Sequence, residues 1–454
     1  MDTDTRSGTA ALAEFVVSCV APAAARQRAV AAICDTAGVI LAGVAEPAAR
    51  MVQDIVRDEG GGECRILGTR DTAAPASAAF ANGVAAHALD YDDMCFVSLA
   101  HPSCALVPAI LAAAETTHAS GPTLTDAYVA AFELECRLGM VMNPSHYHER
   151  GWHCTSTIGT LGAAAAAARV MGLDAVAVHS ALGIAASTAG GFKENMGSMV
   201  KPLHAGMAAR NGVMAALLAG RGFTSSAAAL DGAQGYLAVM GSEHRTLEPA
   251  VADLGTRWEI LDTGITVKLY PSCAATHPPL DALVALQRET EFTPEQVESV
   301  EVQVDSMTPR LLLYDRPTTD LEAKFSMPFC AAAACVFGRI GIETFDAVTI
   351  ARPDIQALMR RVSLRVNRAF DEFTPLSRAD VIVTLSNGTV LTRSADGARG
   401  YPGRLTADEL AAKFRACAHR TLTAAEADAA WSALAQVDRI ADVRELTSLL
   451  APAR

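Results

Sequence analysis

The 454-residue chain is poor in aromatic residues, 5% of the total, and only 19% of its residues are charged. Since 51% are hydrophobic, the apolar mass must come from Ala, Val and Leu. Alanine is the best helix former and weak in strands, so the composition leans towards helix. Positive charge is also scarce: 37 Lys and Arg against 50 Asp and Glu leave a formal net charge of −13. That balance argues against a nucleic-acid partner, whose phosphates require a basic surface. A small anionic substrate is not excluded, because it meets only the local charge of its pocket.

Cysteine is sparse as well. Eleven residues, an odd number with no CxxC pair, do not make a disulfide framework. Cys19, Cys34, Cys104, Cys136, Cys330, Cys335 and Cys417 lie among apolar neighbours and read as small core residues. The N-terminal MDTDTRSGTAALAEF puts acids first and has no apolar run behind a basic cluster, so no secretory leader is expected. No eighteen-residue apolar stretch escapes a charge or a Gly or Pro break, so no membrane partner is expected. The expectation is a reduced, cytoplasmic protein. Also missing are GxGxxG after a strand, GxxxxGK[ST], HExxH and GxSxG. Dinucleotide, nucleoside triphosphate and serine-hydrolase chemistry therefore have no support.

What is present is mostly helix. Segments near 9–20, 23–43, 74–89, 104–117, 124–140, 157–171, 175–188 and 203–220 carry helical spacing. Ala163–Ala168 is apolar all round and must be buried on most sides, and Gly159-Thr160-Leu161-Gly162 reads as close helix packing. Around residue 258 the texture changes. WEILDTGITVKLY and VESVEVQVDS alternate as strands do, and ADVIVTLSNGTVLTRS joins two strand-like runs through Asn387-Gly388, a pair that accepts positive φ twice. Helical stretches near 277–289, 321–338 and 353–361 intervene, and helices return at 406–418, 423–436 and 440–450. The fold class expected is mainly α: a large all-helical domain over 1–262 and 403–454, with an inserted smaller α+β lid domain over 263–402.

Four stretches could carry chemistry. His87-Ala88-Leu89-Asp90-Tyr91-Asp92-Asp93-Met94, followed by His101-Pro102-Ser103, closes an apolar helix with three carboxylates at the end where the dipole disfavours them. Solvent, a cation or a function must compensate them. In His146-Tyr147-His148-Glu149-Arg150-Gly151-Trp152-His153 the histidine spacing is a poor match to zinc. An acid–base or orienting role for Tyr147 and His153, at a helix N-terminus, fits better. Lys201 stands before Pro202, which can open a helix, so an ammonium and free N–H groups would share one volume suited to a carboxylate. His204, inside that helix, reads as a core histidine. Lys268-Leu269-Tyr270-Pro271-Ser272-Cys273-Ala274-Ala275-Thr276-His277-Pro278 opens the α+β region. Cys273 and His277 are poorly spaced as a nucleophile pair, and His277 reads as an acid–base or carboxylate-binding group.

Together these stretches resemble the MmgE/PrpD family, whose members include 2-methylcitrate dehydratase, cis-aconitate decarboxylase and iminodisuccinate epimerase. The matches are HALDYDD…HPS at 87–103, HYHERGWHCTSTIGTLGAAAAAA at 146–168, KPLHAGMAARNG at 201–212 and YPSCAATHP at 270–278. AKFSMPFC at 323–330 and YPGRLTADELAAKF at 401–414 look like the family too. The resemblance implies a homodimer and cofactor- and metal-free chemistry on small di- or tricarboxylates, at a site between the two domains. It places Asp90, His101, His153, Lys201 and His277 in that site, with Tyr147 as a further candidate. Lys268, Ser272 and Arg150 join Lys201 and His277 as candidate substrate contacts in a locally cationic cleft. Where many relatives have threonine this chain has Met94, followed by Cys95, so one member's substrate does not transfer directly.

A carbanion-like state beside a carboxylate links the three activities. The reading puts dehydration first, epimerisation second and decarboxylation third. Lys201 and His277 would bind carboxylates, His101 or His153 would move the proton, and Asp90 would orient a histidine and raise its basicity. A non-enzymatic protein that only holds an anion is the rival from another class.

Overall fold

A computed structural model describes residues 7–244, 246–373 and 377–453. Residues 1–6, which open the stretch read above as lacking a leader, lie outside the described residues. Contacts divide the chain into two units, Met1–Val267 with Thr406–Arg454, and Lys268–Leu405.

The first unit is built from α1 (Gly8–Ser18), α2 (Ala23–Gly43), α3 (Pro47–Glu59), α4 (Pro75–His87), α5 (Ser103–Thr117), α6 (Gly121–Met142), α7 (Cys154–Val170), α8 (Ala175–Thr188) and α9 (Val200–Ala219). Three further helices, Ala407–Ala418, Ala424–Leu434 and Val443–Leu449, close it. It is not all helix: β1 (Cys64–Arg65) and β2 (Thr72–Ala73) form a short antiparallel pair. Local chemistry starts many of these helices. Pro47 and Pro75 occupy the first turns of α3 and α4, where no intrahelical N–H is lost. Asp174 caps α8, and Thr406 with Glu409 and Thr423 with Glu426 form capping boxes.

Small side chains let the central helices approach closely. Ala163–Ala168 of α7 are fully buried. A Cβ on Gly83 of α4 would stand 2.8 Å from Cα of Gly206 on α9, and one on Gly162 would strike the Glu135 side chain of α6. The glycine run at 159–162 thus serves packing. Helix α3 is a clear amphipathic helix outside the segments expected above.

The second unit holds a four-stranded sheet in the order β4–β3–β5–β6, from β3 (Val297–Val304), β4 (Val362–Val366), β5 (Ala379–Leu385) and β6 (Val390–Ala395). β3 pairs parallel with β4 (Val302 opposite Leu364) and antiparallel with β5 (Val302 opposite Val381). Ala379, Val381, Val383 and Leu385 bury one face of β5, in the period expected of a one-sided strand. That face packs in a core shared with helices His277–Thr290 and Met327–Phe337.

Two expectations change. The hairpin at Asn387-Gly388 has positive φ only at Gly388 (+85°), while Gly388 N–H bonds to Leu385 O. This is a three-residue loop in which a turn is followed by one left-handed residue, not a turn with two. The stretch 258–270 is turns and irregular chain, touching a strand partner only at the Met94–Thr266 bridge. Alternation without a neighbouring edge to pair with does not make a strand.

All eleven cysteines are free, and only Cys273 is not fully buried. Among the described residues no single helix is long and apolar enough to cross a membrane.

Candidate functional site

The helices α4, α7 and α9 bring together residues distant in sequence. Helix α4 ends at His87, and Asp90 takes φ +51°, a left-handed conformation that Asp tolerates better than most residues. That turn folds the carboxylates back into the protein. Asp90, Asp92 and Asp93 are all buried, so solvent does not compensate them. Asp93 accepts from both the hydroxyl and the N–H of Ser103 at the start of α5, where negative charge is favoured.

Lys201 is also buried, at 5% exposure. It lies in the first turn of α9, which opens at Val200, so Pro202 is the third helical residue and not the first. Lys201 Nζ stands 2.6 Å from Asp90 Oδ1 and 3.0 Å from His87 Nε2. His87 Nδ1 is 2.8 Å from Asp92 Oδ2, and that same oxygen lies 3.4 Å from His101 Nδ1. The His87 ring meets His101 edge-on at 4.6 Å and stacks on His153 at 5.9 Å. His153 is the residue before α7, and its Nδ1 is 3.1 Å from His204 Nδ1. Its N–H bonds to Gly191 O, and any Cβ at Gly191 would press on Ser156 and His204. Glycine is needed there for this close approach, and its φ of +142° also suits it.

Burial dominates the protonation of the imidazoles. It pushes His87 down to about 3 against the opposing pull of Asp92, with Lys201 adding to the fall. Burial likewise takes His204 down to about 4 and His153 well below the ordinary range, with Lys201 the next cause in both. Asp92 stays ionised: burial opposes its charge, but His87 and His101 outweigh it. Asp93, by contrast, is pushed well up by burial, against the opposing hydrogen bond from Ser103.

Of the residues singled out from sequence, Asp90, His101, His153 and Lys201 converge here. Their pairing differs from expectation, because Asp90 holds Lys201 while Asp92 faces the histidines. His87, Asp92 and His204 also belong to the cluster. The HALDYDD motif contains two of them, but spacing alone does not show which carboxylate meets which ring. Tyr147 sits in a short π-helical turn with Lys193 Nζ 3.7 Å above its ring. His146 is a core histidine bonded to Met240 O and Thr157 Oγ1, and His148 is exposed, so the three histidines of that motif do not converge. Arg150 is exposed beside Gly241. Within this cluster the charge of Lys201 is matched by the Asp90 carboxylate.

The remaining candidates lie in the second unit. His277 opens helix His277–Thr290, with Nε2 3.3 Å from Ser272 O and its ring edge-on to Tyr270. Ser272 Oγ bonds Thr276 Oγ1, and Lys268 is fully buried.

His87, Asp90, Asp92 and His101 offer donor atoms within 4.8 Å of one another, a set that could take a metal ion. Two of the four already hold the Lys201 ammonium, a cation that a metal ion would have to displace.

Comparison with known proteins identifies the family. The MmgE/PrpD N-terminal domain matches residues 10–248, and the MmgE/PrpD C-terminal domain matches residues 270–439. Human cis-aconitate decarboxylase is 29% identical over 388 residues, 83% of this chain and 79% of that one. A cis-aconitate decarboxylase-like protein of Aspergillus oryzae is 27% identical over 427 residues, covering 89% and 88% of the two chains. The cis-aconitate decarboxylase of Aspergillus terreus is 26% identical over 424 residues, covering 88% and 86%.

Proposed function

Because the chain belongs to the MmgE/PrpD family, we propose that it decarboxylates a small unsaturated polycarboxylate of the cis-aconitate kind at the Lys201 cluster. An enzyme acting on a small carboxylate is the coarser statement, and the relatives' names support it. The observation that carries the finer reading is a buried ammonium set among histidines that burial holds neutral.

Dehydration and epimerisation both begin by removing a proton from carbon, which requires a base. An imidazole pushed down to about 3 or 4 is a weak one. Decarboxylation needs no such base. The bond between carbon and the leaving carboxylate breaks, its electron pair moves into the conjugated carboxylate, and CO2 departs. One proton then adds to carbon, so substrate plus a proton balances product plus CO2. The site must stabilise the delocalised negative charge and deliver that proton. Lys201 serves the first need. His101, with 14% of its side chain exposed and Asp92 against its Nδ1, serves the second. This reading moves decarboxylation ahead of the dehydration favoured by sequence alone.

An incoming carboxylate takes the place of Asp90 on Lys201, and the substrate's charge thereby replaces a charge the protein already carries there. Incubation with cis-aconitate, 2-methylcitrate and iminodisuccinate in turn tests the proposal. CO2 release from cis-aconitate alone is expected. Turnover of 2-methylcitrate with loss of water, and none of cis-aconitate, would reverse it.

A further inference from the structure

Lys201 has only N–H groups to offer, so His87 Nε2, 3.0 Å away, must accept. The ring proton then sits on Nδ1 and is donated to Asp92, 2.8 Å away. His87 is 1% exposed and Asp92 fully buried, so neither bond is shared with bulk water. The other titratable rings facing His87 are His101 and His153.

We propose that His87 and Asp92 are positioning residues for Lys201, with Asp92 locking His87 in the Nδ1–H tautomer so that Nε2 can hold the ammonium. The value of a neutral acceptor is that it fixes direction without cancelling charge. Asp90 orients Lys201 and neutralises it; His87 orients it and leaves its charge available to substrate. A protonated His87, or one with its proton on Nε2, would point an N–H at an ammonium and lose the contact. Asp92 selects the tautomer, while burial and Lys201 prevent a second proton from binding. Deepening the function proposed above, on which it rests, this assigns work to two residues of that site beyond Lys201 and His101.

The test reads the tautomer directly. In protein carrying 15N-histidine, long-range 1H–15N correlation distinguishes the two ring nitrogens. His87 is assigned by the signal lost in H87Q, or in H87N should H87Q not fold. Wild type is expected to show the neutral Nδ1–H form from pH 5.5 to 8. Asp92→Asn is expected to move the proton to Nε2. With cis-aconitate, kcat of that variant should fall about 10²-fold or more while KM stays within about threefold, since a histidine in the wrong tautomer has cost up to about 10⁴-fold elsewhere. D92E should recover part of kcat. An imidazolium or an Nε2–H ring at His87 in wild type overturns the proposal, as does D92N retaining the Nδ1–H form or full kcat. Should wild type not turn over cis-aconitate, the function proposed above fails, and the tautomer signals in wild type and D92N still decide this proposal.

Discussion

Lys201 Nζ lies 2.6 Å from Asp90 Oδ1, joining residues 111 positions apart in a buried ion pair. A protein that binds anions with this lysine must first take it away from an internal carboxylate. The pair keeps a buried charge compensated, and on the function proposed above Asp90 competes with the substrate for that lysine.

Asp90→Asn removes that competitor and keeps the shape. Binding of a non-reacting tricarboxylate such as tricarballylate should tighten, by about tenfold for a change near 1.4 kcal/mol. Isothermal titration calorimetry measures it. Weaker binding in the variant would mean that Asp90 assists the anion and does not compete with it.

His204 makes stability depend on pH in a definite direction. Its folded value of about 4 lies below the ordinary 6.5, so the unfolded chain binds more protons between these values. The penalty of keeping it neutral is absent above pH 6.5 and grows as pH falls towards 4. Relative to wild type, His204→Gln should therefore gain about 2 kcal/mol between pH 7 and pH 4.5, discounted for partial solvent access. Urea midpoints at the two pH values would show it, and a constant difference would count against a neutral His204.

Lys413 ties Ala407–Ala418 to the site loop. Its Nζ is 2.7 Å from Asp35 Oδ1 on α2 and 2.8 Å from Tyr91 O. Lys413→Met strands Asp35 in the core and frees the chain beside Asp90 and Asp92. A loss of about 3 kcal/mol in urea unfolding is expected, together with reduced turnover. An unchanged midpoint would show that the pair contributes nothing net.

Gly206→Ala should cost about 1–3 kcal/mol, because the new Cβ would stand 2.7 Å from Phe80 O across the α4–α9 contact. Gly61→Ala, where nothing lies within 4 Å, is the matched control and should shift the thermal midpoint little. Equal shifts would deny the close packing.

Much of this was legible in the residues. Alanine-rich periodicity marks α2, α4, α5 and α7, and the alternation in 297–304 and 379–395 marks three of the four strands of the larger sheet. Val362–Val366 was not legible, since a five-residue edge strand carries little pattern and is defined by its neighbour β3. The misread stretch 258–270 has strand composition but only one bridge, which only tertiary structure reveals. At the site, Asp90, His101, His153 and Lys201 stand out by residue type. That Asp90 would meet a lysine and Asp92 two histidines depends on the left-handed turn at Asp90 and on glycines that draw α4 and α9 together. Neither leaves a trace in spacing.

The most direct test of the central claim is a one-pot reaction of the wild-type protein with cis-aconitate in D2O, followed by 1H NMR beside Lys201→Met. The account predicts loss of CO2 with one deuterium entering each product molecule, unreacted substrate free of deuterium, and turnover in the variant lower by about 10³-fold, the order expected when one preorganised electrostatic contact is removed. Deuterium appearing in unreacted substrate without CO2 loss, or a Lys201→Met enzyme as fast as wild type, would contradict it.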